Sequence, residues 1–293
     1  MNLCSNMRSI RNIHINRWLD ISFILIKFAI FYNECNIINA KAIVGENVRQ
    51  AEELEFPYVV ALMKIPEEGP QLPKHLVCTG TLITSQDVLT AEHCVIACYP
   101  IGIEIIVDSI DLLDGKKHFP LWWVTYNHWA LNNDVKLEYA TNDIAIVKLS
   151  ENVPGHIKLA SIATTFDKSM FESDIQIVGW GKTNNGKIPR KLQAAIVNLV
   201  PLRVCKNTIF RLSGVKRPIH KKRLCSATQP YTIMDNGDSG GPLLFNDIVI
   251  GVNNGVWPEL NSTFHPEQVN FHSSTFFYKD FILDVIEKFI IKY

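Results

Sequence analysis

The sequence lacks a net charge: 29 Lys and Arg stand against 29 Asp and Glu in 293 residues. Bulk charge therefore points to neither nucleic acid nor an anionic membrane surface as a partner. It lacks internal repeats and low-complexity tracts, which excludes a solenoid and an extensively disordered chain. It also lacks an apolar run long enough to span a bilayer. The best run, Ile21–Tyr32, would rise about 18 Å as a helix against a hydrocarbon core of about 30 Å. Lys27 interrupts even that. Finally, no cysteine follows Cys225.

What is present begins with a 47% hydrophobic composition, enough for a large core in one big domain or two small ones. Arg8, Arg11 and Arg17 precede the Ile21–Tyr32 run, and the small residues Ala40 and Ala42 follow it. Residues 1–42 thus read as a secretory signal with room for a very short propeptide. A retained amphipathic leader or a misassigned start codon are the alternatives. Secretion makes cysteine pairing legitimate. Cys4 and Cys35 fall in the leader; of Cys78, Cys94, Cys98, Cys205 and Cys225, four can pair and one is left over.

From Ile43 onward, short β-branched runs alternate with turn residues: 57–63, 76–83, 87–90, 103–107 and 144–149, then 175–180, 194–200, 242–245 and 248–252. Many short strands at this spacing predict an all-β barrel or sandwich. The end differs. Phe277, Phe281, Val285 and Phe289 recur every four residues, predicting an amphipathic helix over 277–290. Residues 154–165 read as a crossover between two halves, and 182–187 and 255–268 as surface loops. The run Lys216–Arg223 reads as a solvated basic loop, with an exosite for an anion or an acidic substrate as the alternative.

Three stretches carry chemistry. LTAEHC (89–94) offers a histidine, TNDIAIVKL (141–149) an aspartate at the head of a strand, and GDSGGP (237–242) a serine among glycines. A serine hydroxyl needs a base to take its proton, a carboxylate to orient that base and donors for the oxyanion. The chain order His, Asp, Ser adds a constraint.

With IVGE at 43–46, FPY at 56–58, CTGTL at 78–82 and VGWG at 178–181, these stretches resemble the chymotrypsin/trypsin-like serine proteases. The resemblance covers nearly everything from Ile43 to the C-terminal helix. It implies an all-β fold of two six-stranded antiparallel β-barrels with a C-terminal α-helix. The peptidase domain would span 43–293, with a first barrel over about 43–155 and a second over about 160–276. It implies His93 as general base, Asp143 as its orienting carboxylate and Ser239 as nucleophile. The N–H groups of Gly237 and Ser239 would form the oxyanion hole. Asp238 would pair with the free amine of Ile43 after processing. Cys78 would pair with Cys94 and Cys205 with Cys225, leaving Cys98 as a free thiol or an intermolecular bridge.

Departures from the family pattern bear on specificity. Asp235 stands where a pocket cysteine is usual, and its partner is missing too, so the pocket walls lose a disulfide brace. Ile233 occupies the pocket floor, where it offers no counter-charge to Arg or Lys. Val256 replaces a wall glycine, Asn270 falls on the other wall, and Asn254 and Asp235 add polarity. These residues predict cleavage after small or apolar P1 residues, aliphatic ahead of large aromatic ones. Glu92 replaces an alanine before the base: it either faces outward or favours the imidazolium. Gly255 replaces a large aromatic. Ala42, before Ile43, suits cleavage by signal peptidase directly, or after Ala40 with later removal of Lys41 and Ala42. Asn261 heads a glycosylation acceptor.

The reading is a secreted, extracellular, monomeric serine endopeptidase acting on proteins or peptides and open to protein inhibitors. It has no cofactor, metal, nucleic-acid partner or stable membrane association. A secreted homologue that binds without turnover is the alternative.

Overall fold

Two periodicities build the chain: buried β-branched runs that become interior strands, and a four-residue apolar repeat that becomes the last helix. The computed structural model describes residues 41–96, 100–139, 141–260 and 265–290. Residues 1–40 of the leader, Cys98 and the acceptor Asn261 lie outside the described residues.

The first half contains β1 (Lys41–Gly45), β2 (Val48–Gln50), β3 (Val59–Lys64), β4 (Leu76–Leu82), β5 (Asp87–Thr90), β6 (Ile103–Val107), β7 (Lys116–His118), β8 (Pro120–Thr125) and β9 (Ala145–Leu149). Seven of these form a curled sheet in the order β7-β6-β3-β4-β5-β9-β8. By register Val60, Leu62, Leu82, Val88, Ile105 and Val147 share one face of it, all of them buried. Each such side chain contributes roughly 1.5–3 kcal/mol on leaving water.

The second half holds β10 (Ser161–Ile162), β11 (Ile175–Gly179), β12 (Gln193–Val200), β13 (Arg223–Ala227), β14 (Thr232–Asp235), β15 (Pro242–Phe245), β16 (Ile248–Trp257) and β17 (Val269–Ser274). Here the ladder β16-β15-β11-β12-β13-β17 returns to β16, closing a six-stranded antiparallel barrel. β10 adds to β16 in parallel and β2 adds to β12. Ile43, Ile175, Ile177, Val197, Leu243 and Ile250 meet in its core. β1 pairs with β14 as a separate two-stranded ribbon.

Three helices complete the described residues. The C-terminal helix predicted over 277–290 is present as Lys279–Ile290, two residues shorter at its start. It buries Phe281 and Val285, with Phe277 half-buried ahead of it. The other two were not anticipated. Tyr126–Asn132 is capped by Thr125, whose Oγ1 accepts from His128 N. The Trp129 ring of this turn meets Phe281, and its Nε1 donates to Asp284, so the last helix docks here. Leu202–Ser213 buries Cys205 and Ile209 and stops at Gly214, whose φ of +70° suits glycine.

One loop expectation is corrected. The segment read as a loop from Gly255 is strand as far as Trp257, because Trp257 pairs with Val269 in the ladder and stacks on Phe271.

Candidate active site

His93 and Asp143 come from the curled sheet, and Ser239 from the closed barrel. β5 runs into a short 3-10 turn, Glu92–Cys94, and the Cys78–Cys94 disulfide ties that turn back to β4. Asp143 stands two residues before β9, which pairs with β5, so register alone brings the two side chains together. His93 Nδ1 faces both carboxylate oxygens of Asp143, at 2.9 and 3.0 Å, and the His93 N–H donates to the same group at 3.1 Å. This fixes the tautomer: Nδ1 carries the proton and donates it in a hydrogen bond to Asp143, and Nε2 is left with its lone pair.

The electrostatics follow. Burial works against the imidazolium, but the Asp143 charge and hydrogen bond outweigh it, so His93 titrates above its ordinary value of 6.5. Burial likewise opposes the Asp143 carboxylate, and His93 outweighs it, holding Asp143 below 3.8. Arg223 lowers both, and Glu92 raises His93 further. Glu92 is half-buried, not turned out to solvent. Burial and the neighbouring Asp143 push its own carboxyl up.

Ser239 sits in a turn between β14 and β15 that both halves clamp. Thr79 N donates to Ser239 O, Thr79 Oγ1 to Gly237 O, and Gly240 N to Asn253 O, at 2.7–2.9 Å. Gly237 has φ +115°, and a Cβ there would lie 2.5 Å from Leu76, so only glycine fits. The N–H groups of Gly237 and Ser239 donate to no acceptor among the described residues, leaving a pair of donors beside the hydroxyl. The hydroxyl itself donates to Asn254 O at 3.4 Å rather than to His93.

Ile43 and Asp238 are not joined. Ile43 is an interior residue of β1, so its nitrogen is an amide. Asp238 is fully buried and accepts from Gly181 N at 3.1 Å and Asp235 N at 3.4 Å. Burial, against the Gly181 hydrogen bond and with Asp235 adding to it, pushes its carboxyl well above the usual range.

Of the pocket residues, Ile233 is buried in the barrel core and Val256 stands opposite Asn270 in the β16–β17 ladder. The Asn270 amide spans to β14, accepting from Met234 N at 2.9 Å and donating to Thr232 O at 3.0 Å. Asn254 is drawn elsewhere. Its Nδ2 donates to Asp143 O, and its Oδ1 accepts from Arg223 and from Ser273 Oγ. Sequence reasoning missed Arg223 as a neighbour of the triad. Its contact with Asn254 joins segments 31 positions apart, so the sequence carried no local signal for it.

Both expected disulfides form; Cys205–Cys225 ties the Leu202–Ser213 helix to β13. The sulfurs of Cys78 and Cys94 lie within 4.8 Å of a His93 ring nitrogen. Bonded to each other, they offer no thiolate to a metal.

The sequence model described as Trypsin matches residues 43–281. The chain belongs to the trypsin family. It is similar to human kallikrein-4, 28% identical over 183 residues, covering 62% of this chain and 67% of that protein. Snake venom serine protease rhinocerase 4 of Bitis rhinoceros is 29% identical, over 60% of this chain and 66% of its own length. Serine protease SP24D of Anopheles gambiae is 26% identical, over 73% and 71%. The chain thus spans about two thirds of the curated relatives it matches. The solved structure of neuropsin, a serine protease expressed in the limbic system of mouse brain, superposes with a TM-score of 0.63 at 20% identity. It covers 82% of this chain and 98% of its own, and shares the fold. The fold is chymotrypsin-like, and the chain is a serine-type endopeptidase by family.

Proposed function

We propose that this trypsin-family chain is a secreted endopeptidase that cuts after small or apolar residues by acyl transfer through Ser239, His93 and Asp143. The observation that carries the reading is His93 held at Nδ1 by both oxygens of Asp143, with Ser239 on a turn anchored to both halves.

His93 Nε2 takes the Ser239 proton as Oγ attacks the scissile carbonyl, and the imidazolium is stabilised by Asp143. The developing oxyanion is received by the two N–H groups of Gly237 and Ser239. His93 then protonates the leaving amine, and water repeats the sequence on the acyl-enzyme. Before this, the Ser239 hydroxyl must turn from Asn254 O towards His93. Freeing the amine of Ile43 supplies a cation for the buried Asp238 carboxylate, which follows Gly237 directly in the chain. That pairing sets the oxyanion turn.

The specificity side rests on Ile233, Val256 and Asn270. A buried Arg or Lys side chain against them would lack a carboxylate, at a cost of several kcal/mol. The Asn270 amide crosses between β17 and β14 where the sequence lacks a disulfide brace, limiting depth as well as mobility.

The test combines amino-terminal sequencing of secreted protein with fluorophosphonate labelling and a P1 peptide library. A mature terminus at Ile43, Ser239-dependent labelling and preference for Ala, Val or Leu are expected. Unlabelled protein bearing Ile43 at its terminus favours the non-catalytic alternative, and P1 Arg or Lys preference overturns the pocket reading.

A further inference from the structure

Beside the triad lies an open cavity of about 590 Å³ whose lining includes Tyr139, Arg217, Lys222, Arg223 and Trp257. It is contiguous with the catalytic residues through Arg223, which donates to Asn254, the residue bonded to Asp143. Trp257 closes the strand β16 that also carries Asn254 and Val256.

The cations here are poorly balanced. Lys222 is only 3% exposed, yet its Nζ donates to neutral groups, Thr141 O and Asn142 Oδ1, and stands 4.7 Å from the Tyr139 ring centroid. Arg223 also donates to neutral groups, Asn254 and Ser273. Arg217 lies over Trp257 at 5.1 Å. Among the described residues, no carboxylate stands within ion-pair distance of these three cations. The one carboxylate lining the cavity, Glu138, is held by Lys221 at 3.4 Å. Burial first, and then Arg223, bring the Lys222 ammonium down to about 8, against the opposing pull of Asp143 and Glu92. Lys222 nonetheless remains mostly charged at neutral pH. A cavity walled by aromatic rings and carrying unpaired cations favours an anion with an apolar stem.

We infer that this cavity receives the acidic side chain, Asp or Glu, of the peptide being cut, on the amino-terminal side of the scissile bond. The placement rests on the proteolytic reading. On that reading the acyl portion of the peptide lies along β16, and from a carbonyl at Ser239 it runs past Asn254 and Val256 to Trp257 and the cavity. The basic run Lys216–Arg223 thereby becomes part of substrate recognition. The Cys205–Cys225 bridge, which closes the loop containing it, holds that run in place.

The experiment uses peptide pairs identical except for Glu or Gln at each of the three positions before the cleaved bond. At one position, kcat/KM for Glu should exceed that for Gln by about tenfold, an advantage that shrinks as ionic strength rises. Arg217→Gln, an exposed position, should reduce the Glu advantage by about threefold or more. Equal rates for every pair, or a Glu advantage untouched by both Arg217→Gln and Lys222→Gln, overturns the inference. A second arm needs no turnover: tryptophan fluorescence of Ser239→Ala protein titrated with the same peptides. Tighter Glu than Gln binding without hydrolysis by the parent supports the cavity while sinking the catalytic reading. Hydrolysis with no charge preference does the reverse.

Discussion

Asn254 donates its side-chain amide to the main-chain carbonyl of Asp143 at 2.8 Å. Its Oδ1 is claimed by Arg223 and Ser273, so the side chain bridges the Asp143 backbone to β13 and β17. Asn254→Leu leaves those partners unmatched, a loss of about 1–3 kcal/mol. We expect kcat to fall about tenfold with little change in KM, read by steady-state kinetics normalised to titrated active sites. A kcat within about twofold of the parent removes Asn254 from the positioning set.

The pH profile should respond in opposite directions to two neighbours of His93. The base works when neutral, so kcat/KM rises as pH passes its elevated pKa. Glu92 favours the imidazolium, and Glu92→Gln should therefore move the acid limb to lower pH. Arg223 disfavours it, and Arg223→Gln should move the limb higher. Limbs that coincide with the parent's in both variants would rule out this electrostatic tuning.

Asp238 gives a prediction whose sign depends on processing. Its folded pKa is raised in the uncut chain, so its contribution to stability is fully present below the unfolded value near 3.8. That contribution is lost as pH rises through the folded value. Asp238→Asn should thus raise the melting temperature of uncut protein at neutral pH, with the difference vanishing at low pH. The same substitution should abolish most activity after processing, because the Ile43 amine loses its partner. A lower melting temperature for uncut Asp238→Asn at neutral pH contradicts this assignment.

Asn270→Gly removes the amide that spans β14 and β17. The pocket should deepen, and the ratio of kcat/KM for P1 Phe over P1 Ala should rise about tenfold, the scale of a few methylenes in an apolar pocket. An unchanged ratio means that Asn270 does not bound the pocket.

Away from the site, Lys148 and Asp87 form a buried pair at 3.1 Å between β9 and β5. Asp87 is fully buried; its Oδ2 accepts from Lys148 and from the Thr84 hydroxyl, and its Oδ1 has no hydrogen-bond partner among the described residues. Lys148→Met should cost about 3–5 kcal/mol in denaturant titrations, and the double variant Lys148→Met/Asp87→Asn appreciably less.

The parts of this molecule that were legible in the sequence are those set by local chemistry. GDSGGP announces its serine because glycine is compulsory at Gly237, where backbone and Leu76 leave no room for a side chain. His93, Asp143 and Ser239 could be singled out as candidates because each sits in a short stretch of its own, and the structure brings the first two into contact. The Leu202–Ser213 helix was missed among strand-like neighbours, although Leu202, Cys205 and Ile209 already gave a helical spacing. The roles of Arg223 and Asn254 were not legible, because they arise from contacts between distant segments. Asn254 meets Asp143 across 111 positions of sequence, and only closure of the barrel against the curled sheet brings them together.

The β1–β14 ribbon has a kinetic consequence. Lys41 pairs with Asp235, Val44 with Ile233 and Gly45 with Thr232, and the register shifts between Lys41 and Val44, so the bond before Ile43 lies in an irregular stretch held by paired residues on both sides. A peptidase needs that bond in a free, extended segment, and folding withholds it. Removal of the leader before the barrel closes would meet no obstacle. Removal afterwards must wait for the ribbon to peel open, at a rate governed by local unfolding rather than by the processing enzyme. Maturation would then run on a clock wound by the fold itself.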